Sequence, residues 1–193
     1  MAVSWGAACR PKVGQSISGD TYLVEVLQEN ELLIAVIDGL GGGEQAALPA
    51  NRAADIVRAN AGIQLTEIIK IAHQALHGTR GAVIGLLRMH VSERRVSYVG
   101  LGNIGVQVYS REPIKPISKN GILGGNRLPP LLLLNYTYNS GDTFVLYSDG
   151  ISSRFGLDTT LDRSLEPQAF ADLIMQTHGK QNDDATVVVV RVN

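Results

Sequence analysis

The sequence predicts an α+β fold built on antiparallel sheets. Three observations point there. Short runs of period-two or β-branched residues, bounded by turn residues, recur along the whole chain. These runs come in adjacent groups instead of alternating one for one with helices. Two consecutive helical patterns stand between the groups, which favours hairpins over repeated β-α units.

In chain order, the runs from Thr21 to Leu27 and from Leu32 to Ile37 read as the first strands, each rich in Val, Ile, Leu or Tyr. Helical spacing, with apolar residues three and four apart, comes next from Ala46 to Asn60 and from Leu65 to Leu76. Asn60 and Gly78 supply the expected stop signals. Strand patterns then run from Ala82 to His90, Arg95 to Gly100 and Val106 to Ser110. The Pro/Gly-rich stretch from Ile114 to Pro130 reads as an excursion within the domain, not a boundary. Strands are expected again from Leu131 to Tyr138 and from Thr143 to Tyr147. A helix opening on a proline is expected from Pro167 to His178, and a last β-branched strand from Thr186 to Val192. No internal repeat or linker interrupts this order, and 193 residues suit a single domain.

Composition excludes several function classes. A formal net charge of −1, with Lys and Arg scattered, leaves no electrostatic footprint for nucleic acid or an anionic membrane. Cys9 is the only cysteine, which rules out an internal disulfide framework and a cysteine-rich zinc site. It also lacks the downstream arginine of a cysteine-nucleophile phosphatase loop, and is expected to be a small buried or semi-buried residue. The N-terminus has no apolar core of signal-peptide length, and no run approaches the ~20 apolar residues that span a bilayer. The expectation is a cytoplasmic protein with no attached sensor domain.

The chemistry is expected at three places. The apolar runs LLIAVID and FVLYSD each end on Asp-Gly, at Asp38/Gly39 and Asp149/Gly150, and a third acidic pair, Asp183/Asp184, opens ATVVVVRV. A carboxylate at the mouth of a buried strand is costly to desolvate unless it meets a cation or several donors. Three such sites converging would repel one another unless a metal sat between them, and hard divalent ions favour oxygen cages of this kind. Asp-Gly is also a strong hairpin signal, of type I′. The downstream residues argue against a turn: LGGGEQ after Asp38 leads into a helical pattern, and ISSRFG after Asp149 does not read as a returning strand.

Other motifs carry less. Gly100-Leu-Gly102-Asn-Ile-Gly105 matches G-x-G-x-x-G, but strand patterns flank it on both sides, so it reads as a hairpin turn with no helix to receive a pyrophosphate. The segment from Val36 to Val57 does run strand, Gly loop, helix and keeps a dinucleotide-binding alternative open. Asp38 counts against it, because a strand-tip carboxylate repels a diphosphate. His73 and His77 lie four apart without the glutamate of zinc proteases, and read as a partly exposed helix face.

Taken together, SGD (residues 18–20), VIDGLGGG (36–43), GTRGAV (78–83), VGLGNIG (99–105), GDTFVLYSDGI (141–151) and NDDATVVVV (182–190) resemble the type 2C (PPM) metal-dependent serine/threonine protein phosphatases. Within that family they are most similar to the small bacterial branch of SpoIIE-like and RsbX-like enzymes, which includes phosphatases that reset stress-signalling complexes. The resemblance covers almost the whole chain and rests on six motifs in the right order.

The resemblance implies one PPM-type catalytic domain over residues 1–193, folded as a four-layer αββα sandwich of two antiparallel sheets, with two Mn²⁺ or Mg²⁺ ions at one edge. By motif position Asp38 would bridge the ions, the Gly39 carbonyl would contact one, and Asp149 and Asp183 would hold the other. Asp20 would act through water. Asp184 stands where many relatives have Asn, so Asp183 is taken as the ligand ahead of it. A water activated by the two metals would attack phosphorus in line. Gly42 stands where many members carry a histidine, Gly19 where others have an acidic residue, and Asn103 and Ser153 where some hold a third metal. Arg10, or else Lys12, would grip the substrate phosphate. The implied substrates are phosphoserine or phosphothreonine proteins of a bacterial stress complex, stressosome scaffold or STAS-domain proteins. The alternative is a catalytically weak PPM-fold module that docks on a signalling partner.

Overall fold

The computed structural model describes residues 3–27 and 31–193 of the chain. Nine strands and three α-helices succeed one another among these residues: β1 (Val3–Arg10), β2 (Asp20–Leu27), β3 (Glu31–Gly39), α1 (Glu44–Ala59), α2 (Leu65–Ala75), β4 (Ala82–His90), β5 (Arg95–Leu101), β6 (Gly105–Tyr109), β7 (Leu134–Thr137), β8 (Thr143–Tyr147), α3 (Pro167–His178) and β9 (Ala185–Val192), with a 3₁₀ turn over Ser153–Leu157. They form a four-stranded sheet, β1-β9-β8-β6, and a five-stranded sheet, β2-β3-β4-β5-β7. Every ladder is antiparallel.

Strand alternation sorts the side chains into three apolar layers. On β3, Leu33, Ala35 and Ile37 face α1 and α2, packing on Ala50, Ala53, Val57, Ile68, Ile69 and Ala72. The alternate residues Leu32, Ile34 and Val36 face the other sheet and meet Phe144, Leu146, Val188 and Val190. The outer face of that second sheet, Val145, Val187 and Val189, is covered by Phe170, Ala171 and Ile174 of α3. The result is a helix-sheet-sheet-helix sandwich. Strands buried on both faces explain why β3, β4 and β9 read as almost continuous apolar runs.

Several elements depart from the sequence expectation. β1 is an additional strand: VSWGAACR is interrupted by small residues, and its strand character comes from pairing along its whole length with β9. β7 is shorter than the expected run from Leu131 to Tyr138, since only Leu134–Thr137 finds a partner, on β5. The Gly100–Gly105 segment is not a hairpin. It carries the chain from β5 in one sheet to β6 in the other, so its glycines serve a crossing between layers. His73 is buried, not on a partly exposed face, and its Nδ1 accepts the Gly124 N–H at 3.3 Å. His77 stays exposed. Cys9 is exposed, because β1 lies at the edge of its sheet.

Candidate metal centre

The same alternation that builds the core aims the carboxylates. Asp38 continues the inward series Leu32, Ile34, Val36, and Asp20 continues the inward series of Tyr22 and Val24. The two aspartates are direct cross-strand partners in the β2–β3 ladder. Two carboxylates at one register position, on the face that meets the other sheet, repel across a short gap. From the facing sheet, β8 ends at Tyr147 and delivers Ser148, Asp149 and Gly150, while Asp183 and Asp184 immediately precede β9. The three places singled out in the sequence therefore meet at one open end of the sandwich.

The Asp-Gly pairs are not type I′ turns; neither Gly39 nor Gly150 has a positive φ. Each is glycine because backbone passes over it. A Cβ on Gly39 would land on the Ala46 carbonyl oxygen of α1, and one on Gly150 on the Asp184 carbonyl oxygen. Close packing of backbone around each strand tip holds the preceding aspartate in place.

The hydrogen bonds separate carboxylates that are spent from those that are free. Asp184 is buried and clamps two backbone amides, accepting from Lys12 N–H and Gly19 N–H at 2.9 Å each. Asp20 accepts from the Ser148 hydroxyl at 2.6 Å, and Ser148 Oγ itself accepts the Thr186 N–H at 2.9 Å. Ser148 is thus a bridge between the sheets that sequence reasoning missed; its inward parity with Phe144 and Leu146 was the available signal. Asp149 accepts from Asn103 Nδ2 at 2.8 Å. Among the described residues Asp183 accepts only the Asp184 N–H, at 3.1 Å. Asp38 is half-buried and faces the others.

The electrostatics record the crowding. Burial, and then the charges of Asp20, Asp149 and Asp183, push Asp38 from its ordinary 3.8 up to about 8. Burial lifts Asp20 to about 6 against the opposing bonds from Ser148 and Thr186. Asp149 is also raised, by burial and then by Asp183, with Lys180 opposing. Without a cation the cluster holds a proton near neutrality, which is the behaviour of a donor set built for one. Among the described residues no three His, Cys, Asp or Glu side chains already close on one point as a ready cage. A hydrated divalent ion does not need one, since Mg²⁺ keeps several waters and is held by one or two carboxylates. The donors present fit such ions.

A family model for Stage II sporulation protein E (SpoIIE) matches residues 28–193. The chain belongs to the SpoIIE family. Membership makes it a PP2C-type protein phosphatase, and phosphatases of this type are metal-dependent. The phosphoserine phosphatase RsbX of Bacillus subtilis (strain 168) is 30% identical to this SpoIIE-family chain over 143 residues, spanning 73% of this chain and 71% of that protein. A crystal structure of RsbX in complex with magnesium superposes with a TM-score of 0.88 at 25% identity, covering 99% of this chain and 96% of that one. A chain from work on the bacterial stressosome, described as a modular system adapted to control secondary messenger signaling, superposes with a TM-score of 0.92 at 32% identity, covering 99% and 100%. The two-sheet sandwich of this chain is the fold of these relatives.

Three cations border the site, Lys180, Lys12 and Arg80, and Arg10 is not among them. Arg10 donates to the carbonyls of Pro11 and Lys180, at 3.3 and 2.7 Å, so its guanidinium braces backbone instead of reaching into the cluster. By holding that turn it positions Lys180, whose ammonium donates to the Asp149 carbonyl at 2.5 Å. Lys12 lies against the glycine loop: a Cβ on Gly42 would come within 2.9 Å of its Nζ. Arg80 lies over the next glycine, its Nη1 2.7 Å from where a Gly41 Cβ would be. Asn103 meets Asp149, while Ser153 opens the 3₁₀ turn and is exposed.

Proposed function

We propose that this chain is a Mg²⁺- or Mn²⁺-dependent phosphatase for phosphoserine and phosphothreonine in proteins of a bacterial stress-signalling complex, stressosome scaffold or STAS-domain proteins. The observation that carries the reaction is the cluster of Asp20, Asp38, Asp149 and Asp183 at one end of the sandwich, with Asp38 held at about 8 by burial and by its neighbours. Its likeness to RsbX and to a chain from the bacterial stressosome supports the substrate class.

In this reading Asp38, the Gly39 carbonyl, Asp149 and Asp183 would hold the two ions, and Asp20 would act through water. When bound, such a pair neutralises phosphoryl oxygens and lowers the pKa of water. The rest is done by the chain. Ser148 fixes the rotamer of Asp20, Asn103 fixes Asp149, and Asp184 pins the β1–β2 segment so that Asp20 and Lys12 keep their places. Lys12, beside Gly42, is better placed than Arg10 to meet the transferred phosphoryl group. Residues 1–193 act as one catalytic unit.

The test is hydrolysis of a phosphorylated stressosome scaffold protein and of p-nitrophenyl phosphate, each with Mn²⁺, with Mg²⁺ and with EDTA. Metal-dependent turnover of both is expected. Tight partner binding with no turnover of either would replace the phosphatase with a docking module.

A further inference from the structure

Beside the metal centre, on the outer side of α1, lies a cavity of about 620 Å³ lined by Gln45, Leu48, Pro49, Arg52, Thr79 and Arg80, among others. It is continuous with the site through Arg80, whose guanidinium lies over Gly41, two residues beyond Gly39. The Leu40 N–H donates to the Gly81 carbonyl at 3.0 Å, which ties the two walls together at that end.

The lining has a definite chemistry. Leu48 is 67% exposed on a helix whose other aliphatic residues are mostly buried, so an aliphatic wall faces outward there. Pro49, a proline inside α1, adds an apolar ring to the same wall. Arg52 forms no salt bridge among the described residues, and Arg80 is held only by the neutral Gln45 side chain. The one acid in the lining, Asp55, is paired with Arg58. The groove therefore presents an aliphatic surface and two positive charges with no fixed counter-charge.

We infer that this groove binds the segment of the phosphoprotein substrate flanking the phosphorylated residue, and that it selects for an aliphatic side chain together with a carboxylate. The inference rests on the phosphatase reading. Its occupant is fixed by charge complementarity and by continuity with the metal centre. Leu48 and Pro49 cover the aliphatic group, Arg52 pairs with the flanking carboxylate, and Arg80 spans the gap between flank and phosphate. Selectivity of this kind acts on the distinction between substrates, not on the chemistry of a small ester.

The experiment compares two phosphoserine peptides and p-nitrophenyl phosphate in the presence of Mn²⁺. One peptide carries Leu and Glu on both sides of the phosphoserine; the other has Ala and Lys in their place. The wild-type chain is expected to favour the Leu/Glu peptide at least tenfold in kcat/KM, with the difference in KM. Leu48→Ala should lower that preference through its aliphatic component, and Arg52→Glu should lower it further through its charge component. The rate on p-nitrophenyl phosphate reports whether each variant is folded and metal-loaded. Equal kcat/KM for the two peptides in the wild type, or a preference unchanged in both variants, overturns the groove while leaving the phosphatase standing. Absence of metal-dependent p-nitrophenyl phosphate hydrolysis in the wild type overturns the phosphatase reading and the groove with it.

Discussion

Asp38→Asn should make the metal-free protein more stable at pH 8 while removing its response to metal. In the wild type the folded chain holds the Asp38 proton at about 8 and the unfolded chain releases it near the ordinary 3.8. Between these values the folded state binds more protons than the unfolded state, so stability is full below the unfolded value and falls as pH rises through the folded one. At about 1.4 kcal/mol per pH unit for one proton, the whole interval corresponds to roughly 6 kcal/mol. Asp20, directly across the ladder and lifted to about 6, shares that proton, so removing one charge recovers part of the figure, on the order of 2–3 kcal/mol. For a chain of this length that is about 5–10 °C in Tm.

The assay is thermal unfolding in EDTA at pH 4, 6 and 8, with a subsequent Mg²⁺ titration at pH 8. The two melting curves should nearly coincide at pH 4 and separate progressively, with Asp38→Asn the more stable. Saturating Mg²⁺ should then raise the wild type alone, by about 2.7 kcal/mol at a hundredfold excess over Kd. Parallel pH dependence of the two proteins in EDTA would refute the argument, because it would mean that Asp38 is not held above its ordinary value by the fold.

The same geometry predicts four further outcomes. Asp183→Asn should abolish Mg²⁺-induced stabilisation with little change of Tm in EDTA. Asp184→Asn should instead lower Tm in EDTA by several degrees, since a buried carboxylate accepting two amide bonds within the fold contributes about 1.5–3 kcal/mol per charged bond. Gly39→Ala should cost more than ~3 kcal/mol, read as loss of helical signal at a lowered Tm, because the added methyl overlaps the Ala46 carbonyl of α1. Asp158 is held below its ordinary value by Thr160 first and by His178 second, so its contribution is present above the ordinary carboxylate range and is lost as pH falls through the lowered one. Asp158→Asn should therefore melt earlier than the wild type at pH 6, with the difference shrinking as pH falls through the lowered value.

How much of this was legible depends on which physical term governs each residue. β3, β8 and β9 could be read because burial on both faces leaves an unmistakable apolar run, and Asp38 and Asp149 because a charge at the end of such a run is anomalous. β1 could not, since small residues and a tryptophan form a strand there only through pairing with β9, far away in the chain. The Gly100–Gly105 segment misleads for a related reason: local pattern identifies two strands and a turn but does not say whether the strands lie in the same sheet. The cations were the least legible part. Arg10 matches no usual phosphate-binding spacing and is suggested only by its place near the N-terminus, and its side chain turns to the Lys180 carbonyl, a contact between residues 170 positions apart.

Asp183 and Asp184 carry the same lesson to the centre of the site. They are adjacent, identical in chemistry and indistinguishable by composition, yet strand alternation sends them to different tasks. Asp184 shares the inward parity of Thr186 and Val188, enters the sandwich, and is consumed by the Lys12 and Gly19 amides. Asp183, one residue earlier, is left half-buried at the rim with a single backbone bond and with Asp38 and Asp149 in reach of its charge. A carboxylate that stabilises the fold has its lone pairs filled by backbone; one available to a cation must keep them open and bear the repulsion of its neighbours. If Asp184→Asn, and not Asp183→Asn, removed the response to Mg²⁺, this division of labour would be reversed, and with it the argument that unfilled carboxylate oxygens mark the metal ligands.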